Sequence, residues 1–392
     1  MTDRDRHVLI VAGEASGDLH GASLIRAARD VDPGLAFFGI GGGRMAEAGC
    51  DILFPAEELA VMGLVEVIGR LPTIRRAFAA LRKMLSGDRR PDLVVLIDYP
   101  GFNLRFAAEA RRAGIPVLYY ISPKVWAWRR GRARTIARLV DKLAVIFPFE
   151  PEIFRELGLD VEYVGNPLLD EFRSVSDPAG FLRRLGLDPA RPTIGLFPGS
   201  RRGELKYIFE PMLEAAELLR QEKPEVQFLL SVAPGFSSDE FAARLAAKGL
   251  EGKAVQEDIY AVAGACKAAL AVSGTVTLQI ALAGTPMAIL YRMAPLSYAI
   301  GKRVVRIPHV GLPNIVAGEE VVREFIQDRA TPRNLATEMM RLLDDCAYRQ
   351  RVTEGLARVQ ASMGAPGCSE RVARIASEMS QRRFRSGEGR RG

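Results

Sequence analysis

Along the first half of the chain, short continuous apolar runs alternate with stretches whose apolar residues recur at helical spacing. HVLIVA, LAFFGI, DLVVLID, VLYYIS and KLAVIF read as strands, and LHGASLIRAARD and LRFAAEARRAG as helices between them. Strands that are apolar on both faces belong to a parallel sheet covered by helices on either side. Right-handed crossovers make such an alternation a Rossmann-like unit.

A second alternation follows the polar stretch NPLLDEFRSVSDPAG, with TIGLF, QFLLSVA, AALAVSG and MAILY as strands and a helix expected near Glu204 to Gln221. The boundary is expected within 166–190, where Pro167 and Pro178 interrupt the pattern. Beyond Pro332 the chain reads as almost wholly helical. The expectation is therefore α/β, with a first domain over 1–170 and a second over 171–345. Closing helices over 346–392 would return to the first domain or exchange with a partner subunit, and the basic tail RRFRSGEGRRG reads as disordered.

In open parallel sheets ligands bind beyond the carboxyl ends of the strands, so the loops that follow strands carry the chemistry. The first is Gly13-Glu14-Ala15-Ser16-Gly17-Asp18, which matches neither a dinucleotide fingerprint nor a P-loop. Its two carboxylates would repel a phosphate but accept hydrogen bonds from sugar hydroxyls; alternatively Gly17 turns the chain and Asp18 caps a helix. The next strand ends at Asp98, ahead of Tyr99-Pro100-Gly101-Phe102-Asn103. A carboxylate there is placed to take a proton from an acceptor hydroxyl, or simply to form the turn. Tyr119 to Trp128 follows another strand and holds both tryptophans; Ser122 and Trp126 are candidates for contact with a sugar or an acyl chain, against packing in the core.

In the second half, Pro198-Gly199-Ser200-Arg201 opens a helix, where Gly199 lets amides approach a ligand and Arg201 offers a cation to a diphosphate. Ser273-Gly274-Thr275-Val276-Thr277 is a second phosphate cradle at a helix start, with Gln279 about one turn on and within reach of ribose hydroxyls.

With 392 residues, of which 48% are hydrophobic, the chain is long enough for two cores. The four cysteines have no disulfide or zinc spacing, and the three histidines are scattered. The sole Asp-x-Asp, Asp3 to Asp5, precedes the first strand, so neither a metal nor any other cofactor is called for. Arg201 and the helix start would stabilise the leaving group instead. A net charge of +7 suits an anionic partner, but there is no nucleic-acid motif, so nucleic acid is not expected. No signal peptide or spanning segment is present, which favours the cytoplasm. The stretch 61–85 joins an apolar segment to Arg75, Arg76, Arg82 and Lys83, and suits peripheral contact with anionic lipid or an ordinary core helix.

The ordered motifs GEASGD, IDYPGFN, YYISPKVWAW, VGNPL, PGSR, SGT and LPNIVAG resemble the lipid-A-disaccharide synthases over residues 8 to about 345. The resemblance implies a glycosyltransferase B fold, two Rossmann-like domains facing across a cleft. It also implies an inverting transfer from UDP-2,3-diacylglucosamine to 2,3-diacylglucosamine 1-phosphate, giving the β(1→6) lipid A disaccharide 1-phosphate and UDP. Asp98 would then be the base, with Glu14 and Asp18 near the sugar. Arg201 and the 273–277 turn would hold UDP, and Asn314 in LPN would lie at the cleft. Family members commonly carry glutamate where this chain has Gln279, a weaker acceptor for ribose. A homodimer with exchanged carboxyl-terminal segments, docked on the cytoplasmic face of the inner membrane, is also implied. Rival readings are a UDP-GlcNAc 2-epimerase or a peptidoglycan glycosyltransferase of the same fold, or a non-catalytic lipid- or nucleic-acid-binding protein.

Overall fold

The computed structural model describes residues 6–59, 64–126, 131–295, 298 and 307–388, with the backbone alone for 64–70 and 382–388. The chain divides into two units, Met1–Asp170 together with Ala365–Gly392, and Glu171–Gly364.

The first unit is a sheet of seven parallel strands: β1 (Arg6–Ala12), β2 (Leu35–Gly41), β3 (Asp51–Pro55), β4 (Leu93–Ile97), β5 (Val117–Tyr120), β6 (Lys142–Val145) and β7 (Val161–Tyr163). Its order is β3-β2-β1-β4-β5-β6-β7. The central strands bury alternate residues on opposite faces. Leu9, Val11, Val94 and Leu96 join one core cluster, and Val8, Ile10, Val95 and Ile97 another. Covered this way on both faces, the strands read as continuous apolar runs. Helices α1 (Ala15–Val31), α2 (Gly43–Glu47), α3 (Ala56–Leu59), α4 (Leu64–Met84), α5 (Pro100–Arg112), α6 (Gly131–Leu139), α7 (Glu150–Arg155) and α8 (Pro167–Glu171) connect them.

The second unit has six parallel strands: β8 (Thr193–Phe197), β9 (Gln227–Ser231), β10 (Gly252–Val255), β11 (Ala268–Val272), β12 (Met287–Tyr291) and β13 (Arg323–Ile326), in the order β10-β9-β8-β11-β12-β13. Between them run α9 (Pro178–Arg184), α10 (Arg202–Glu222), α11 (Ser238–Ala247), α12 (Ile259–Gly264), α13 (Thr275–Leu282) and a helix over Leu312–Ala317. Helices over Pro332–Asp344 and Cys346–Ser362 complete it.

The division differs from the expected 346–392 segment. The Cys346–Ser362 helix stays with the second unit, where Val352 and Leu356 enter its core. Only the helix over Cys368–Glu388 lies with the first unit. Asp170 accepts the amides of Gly367 (2.5 Å), Cys368 (3.3 Å) and Ser369 (3.2 Å), and so caps that helix. Further along, Arg6 donates to Ser380 Oγ at 3.1 Å and to Asp32, which also takes the Ser377 hydroxyl.

Each order reverses direction at one place, between β1 and β4 in the first sheet and between β8 and β11 in the second. Such a switch point opens a crevice at the carboxyl ends of the strands. Among the described residues no helix is long and apolar enough to cross a membrane. In the 61–85 stretch, residues 61–63 and the side chains up to 70 lie outside the described part. Beyond them Ala77 and Leu81 are core residues, while Arg75, Arg76, Arg82 and Lys83 are exposed.

Candidate active site

At the first switch point the chain leaves β4 in an unusual conformation. Asp98 and Tyr99 both take left-handed φ values, 42° and 44°, which side chains with a Cβ seldom adopt. Asn103 holds the turn. It is fully buried and its Nδ2 donates to the carbonyls of Ile97 (3.1 Å) and Asp98 (2.8 Å), so its amide nitrogen serves the backbone. The Tyr119 hydroxyl donates to the Asp98 carbonyl as well. Strain held in place by its surroundings points to a functional position. The Asp98 carboxyl is pushed up to about 6, first by burial and then by the charge of Glu14; Lys124 and the Tyr99 amide oppose the shift. A carboxylate poised near neutrality and within the field of a second acid suits a general base.

On the other side of the switch point, Gly13 is buried, Glu14 and Ser16 are exposed, and Gly17 packs so closely that an added Cβ would lie 3.3 Å from Ala12 Cβ. Asp18 takes the second of the two roles left open for it, that of a helix cap. It is 7% exposed, and its carboxylate accepts the amides of Gly42 (2.7 Å), Met45 (3.0 Å) and Arg44 (3.2 Å). It therefore caps α2 across the turn at Gly42 and Gly43, and its lone pairs serve that turn rather than sugar hydroxyls. Ser122 is buried and donates to Pro123 O at 3.0 Å. Trp126 lies edge-on to Phe147 and Phe149, with centroids 6.3 and 5.3 Å away.

At the second switch point, α10 and α13 both begin without a side-chain cap, directly after neighbouring strands. Gly199 has φ 94°, and an added Cβ would lie 2.8 Å from Val272 Cγ1, so the first turn presses against the end of β11. Arg201 is exposed and, among the described residues, bonded only to Glu204, at 3.0 Å. Ser200 and Thr275 are exposed too, and Gly274 is the N-cap of α13. Two uncapped helix starts after neighbouring strands, one of them with Arg201 at its N-cap, are an arrangement that can hold an anion.

Two neighbouring side chains are already committed. Ser273 donates to Val310 O at 2.7 Å, and Thr277 is buried and donates to Gly274 O at 2.8 Å, while Gln279 lies near the Tyr260 hydroxyl. The first two shape the turn through their hydroxyls and leave its amides to a ligand. Asn314 differs from the expectation most. It is fully buried; Nδ2 donates to Val322 O and Glu324 Oε1, both at 2.8 Å, and Oδ1 accepts the amides of Val321 (2.8 Å) and Val322 (2.9 Å). With all its capacity used, Asn314 pins its helix to β13 and leaves nothing for a substrate. No group of acidic, histidine or cysteine side chains among the described residues could hold a metal ion.

The chain matches the family model described as lipid-A-disaccharide synthetase over residues 8–372. The chain belongs to this lipid-A-disaccharide synthetase family. A lipid-A-disaccharide synthase from Syntrophotalea carbinolica is 60% identical over 374 residues, covering 95% of each chain. Another, from Geobacter sulfurreducens, is 51% identical and covers 97% of this chain and 99% of its own.

Solved structures share the fold at much lower identity. The UDP-GlcNAc 2-epimerase of Neisseria meningitidis, bound to UDP-GlcNAc, superposes with a TM-score of 0.63 at 12% identity over 95% of this chain and 100% of its own. A transferase from Siraitia grosvenorii in complex with UDP gives 0.60 at 13% over 95% and 99%. The α/β architecture of the synthetase family chain is thus the glycosyltransferase B type, and the family makes it an enzyme, a glycosyltransferase.

Two residues of this family member lay outside the sequence reading. Arg292 sits one position past β12, half-buried and without a hydrogen bond or ion pair to any described residue. Gln327 fixes the next residue from both sides, accepting Met293 N (2.8 Å) and donating to Met293 O (3.1 Å). The signal was there, since Arg292 follows a strand just as Arg201 does. The other residue is Glu150, buried at the start of α7.

Proposed function

We propose that this chain transfers 2,3-diacylglucosamine from UDP-2,3-diacylglucosamine to 2,3-diacylglucosamine 1-phosphate. The products are the β(1→6)-linked lipid A disaccharide 1-phosphate and UDP. The observation that carries this reading is the family match along nearly the whole chain. The local chemistry supports a division of work between the units. Asp98, with its carboxyl near 6, takes the proton of the acceptor hydroxyl, and Glu14 and Ser16 offer polar contacts to the sugar.

The freed oxygen attacks the donor's anomeric carbon as the bond from that carbon to the diphosphate oxygen breaks, which inverts the centre. The negative charge that develops on UDP is met by Arg201 and the open amides at the starts of α10 and α13. Arg292 adds a second cation on the same edge of the sheet. The exposed Arg75, Arg76, Arg82 and Lys83 suit anionic headgroups at the cytoplasmic face of the inner membrane, where the acylated substrates reside. The Cys368–Glu388 helix would be the segment exchanged in a homodimer, which light scattering of the purified protein would test.

Incubating the protein with both acylated substrates and weighing the products tests the reaction. A disaccharide 1-phosphate formed in step with UDP is expected. Conversion of UDP-GlcNAc to its 2-epimer, or equal use of sugars without acyl chains, would overturn it.

A further inference from the structure

Glu150 takes no part in the reaction described above, yet it is one of the most deeply buried acids in the first unit, at 1% exposure. It opens α7 directly after β6, and its Oε2 accepts the Phe147 amide at 3.0 Å. Trp126 after β5 and Tyr163 on β7 act on it, and the rings of Phe147 and Phe149 after β6 pack against Trp126. The Phe147 and Phe149 rings stack with centroids 5.6 Å apart, and Trp126 stands edge-on to both. The Trp126 indole N–H is buried without a hydrogen bond of normal geometry, and the Glu150 carboxyl is the acceptor it faces.

A leucine would fill such an aromatic box without the cost of desolvating an acid, so the carboxyl calls for a reason beyond packing. Its neighbourhood supplies one. β6 pairs with β5 and β5 with β4, so the box stands beside the strand that ends at Asp98, and the charge of Lys124 acts on both acids.

We propose that Glu150 is a positioning residue that holds the Trp126 loop beside Asp98 in the conformation that receives the acceptor sugar. This deepens the disaccharide reading and rests on it. Burial pushes the Glu150 carboxyl up to about 8, so it is mostly protonated at neutral pH. The groups facing it are Lys124 and Trp126 from the loop after β5, Tyr163 from β7, and the backbone amides of Ile146 and Phe147. Above pH 8 the ionised form places an anion among the rings and competes with Asp98 for Lys124. Acceptor binding then weakens.

The test uses the full-length protein and its Glu150→Gln and Glu150→Ala variants, with acceptor KM and kcat measured from about pH 6 to 9 at saturating donor and UDP affinity as the control. Wild type should show acceptor KM rising on the alkaline side of neutrality. Glu150→Gln, which keeps the shape and stays neutral, should hold kcat within about threefold of wild type at pH 7 and lose that rise. Glu150→Ala should raise acceptor KM about tenfold at pH 7 and leave UDP affinity alone. The proposal is overturned if Glu150→Gln keeps the alkaline rise, or if a folded Glu150→Ala binds acceptor as wild type does.

If Glu150→Ala fails to fold, the Glu150→Gln profile decides alone. Wild type that makes no disaccharide overturns the disaccharide reading instead. The Glu150 assignment is then judged by fluorescence in a Trp128→Phe background, where Trp126 is the sole tryptophan. Emission should titrate near pH 8 with Glu150 present and stay flat in Glu150→Gln. A response unchanged by Glu150→Gln contradicts the proposal.

Discussion

Gly13 lies directly beneath the ring of Tyr99: a Cβ added at residue 13 would sit 2.4 Å from Tyr99 Cδ1. The ring cannot swing aside, because its hydroxyl donates to Leu59 O at 3.1 Å and its face stacks on Phe102, 6.0 Å between centroids. A methyl group there must displace the left-handed turn that carries Asp98. Gly13→Ala should cut kcat by about a hundredfold or more, as a misplacement of about 1 Å does. UDP affinity should stay unchanged, since the proposed nucleotide site belongs to the other unit. Steady-state kinetics with a parallel UDP titration would check both halves of that statement.

Arg201 and Arg202 are neighbours with different work. Arg202 lies over the Phe236 ring at 4.9 Å and donates to Gly235 O, whereas Arg201 is paired with Glu204. Removing a charged partner of a phosphate costs about 1.5 to 3 kcal/mol, so Arg201→Ala should weaken UDP binding by about ten- to a hundredfold. Arg202→Ala should leave it within about twofold. Calorimetric titration of both variants would separate them, and equal losses would refute the assignment.

Asn314→Ala should act on stability rather than on chemistry. It strands the amides of Val321 and Val322 and removes a donor from the buried Glu324, at a cost of about 2 to 4 kcal/mol. Urea unfolding would show the loss. At a temperature where the variant is folded, its UDP affinity should match wild type.

His20 on α1 stands edge-on to Tyr120 with centroids 6.4 Å apart, and burial holds it down to about 4. The unfolded chain therefore takes up this proton first as pH falls. The contribution to stability is complete above about 6.5 and is lost progressively towards 4, about 3 kcal/mol at most. His20→Leu should remove that part of the acid sensitivity, seen as a smaller difference between urea midpoints at pH 7 and pH 5.

The central strands and the loops at both switch points were legible because their apolar runs are buried on two faces. The strands the pattern did not signal are β3, β7, β10 and β13, the four sheet edges. β3 and β10 are half-exposed, and all four run only three to five residues, too short for a clear period. Asp98, Glu14 and Arg201 were singled out because each follows a strand. Asp18, Asn103 and Thr277 stand in the same kind of loop but bond to the backbone, as does Asn314, which the resemblance alone had singled out.

Sequence marks a polar residue in a loop; it does not reveal where the lone pairs go when the partner is distant, as Gly42 is from Asp18 or Val322 from Asn314. Glu150 was missed for the opposite reason. Within FPFEPEIF it reads as an acid in the first turn of a helix, a common surface choice, and only folding shows it buried.

The most direct measurement concerns Asp98, with Asp98→Asn compared to wild type for disaccharide formation, UDP binding and stability. A base with its carboxyl near 6 gives wild type an acid limb in kcat/KM centred near that pH. Its raised value also means that the buried charge destabilises the fold above pH 6. At pH 7 the neutral amide should thus raise stability by about 1 to 3 kcal/mol while turnover falls by about a thousandfold or more and UDP still binds. A folded Asp98→Asn that forms disaccharide at near wild-type rate, with the acid limb intact, would contradict the account.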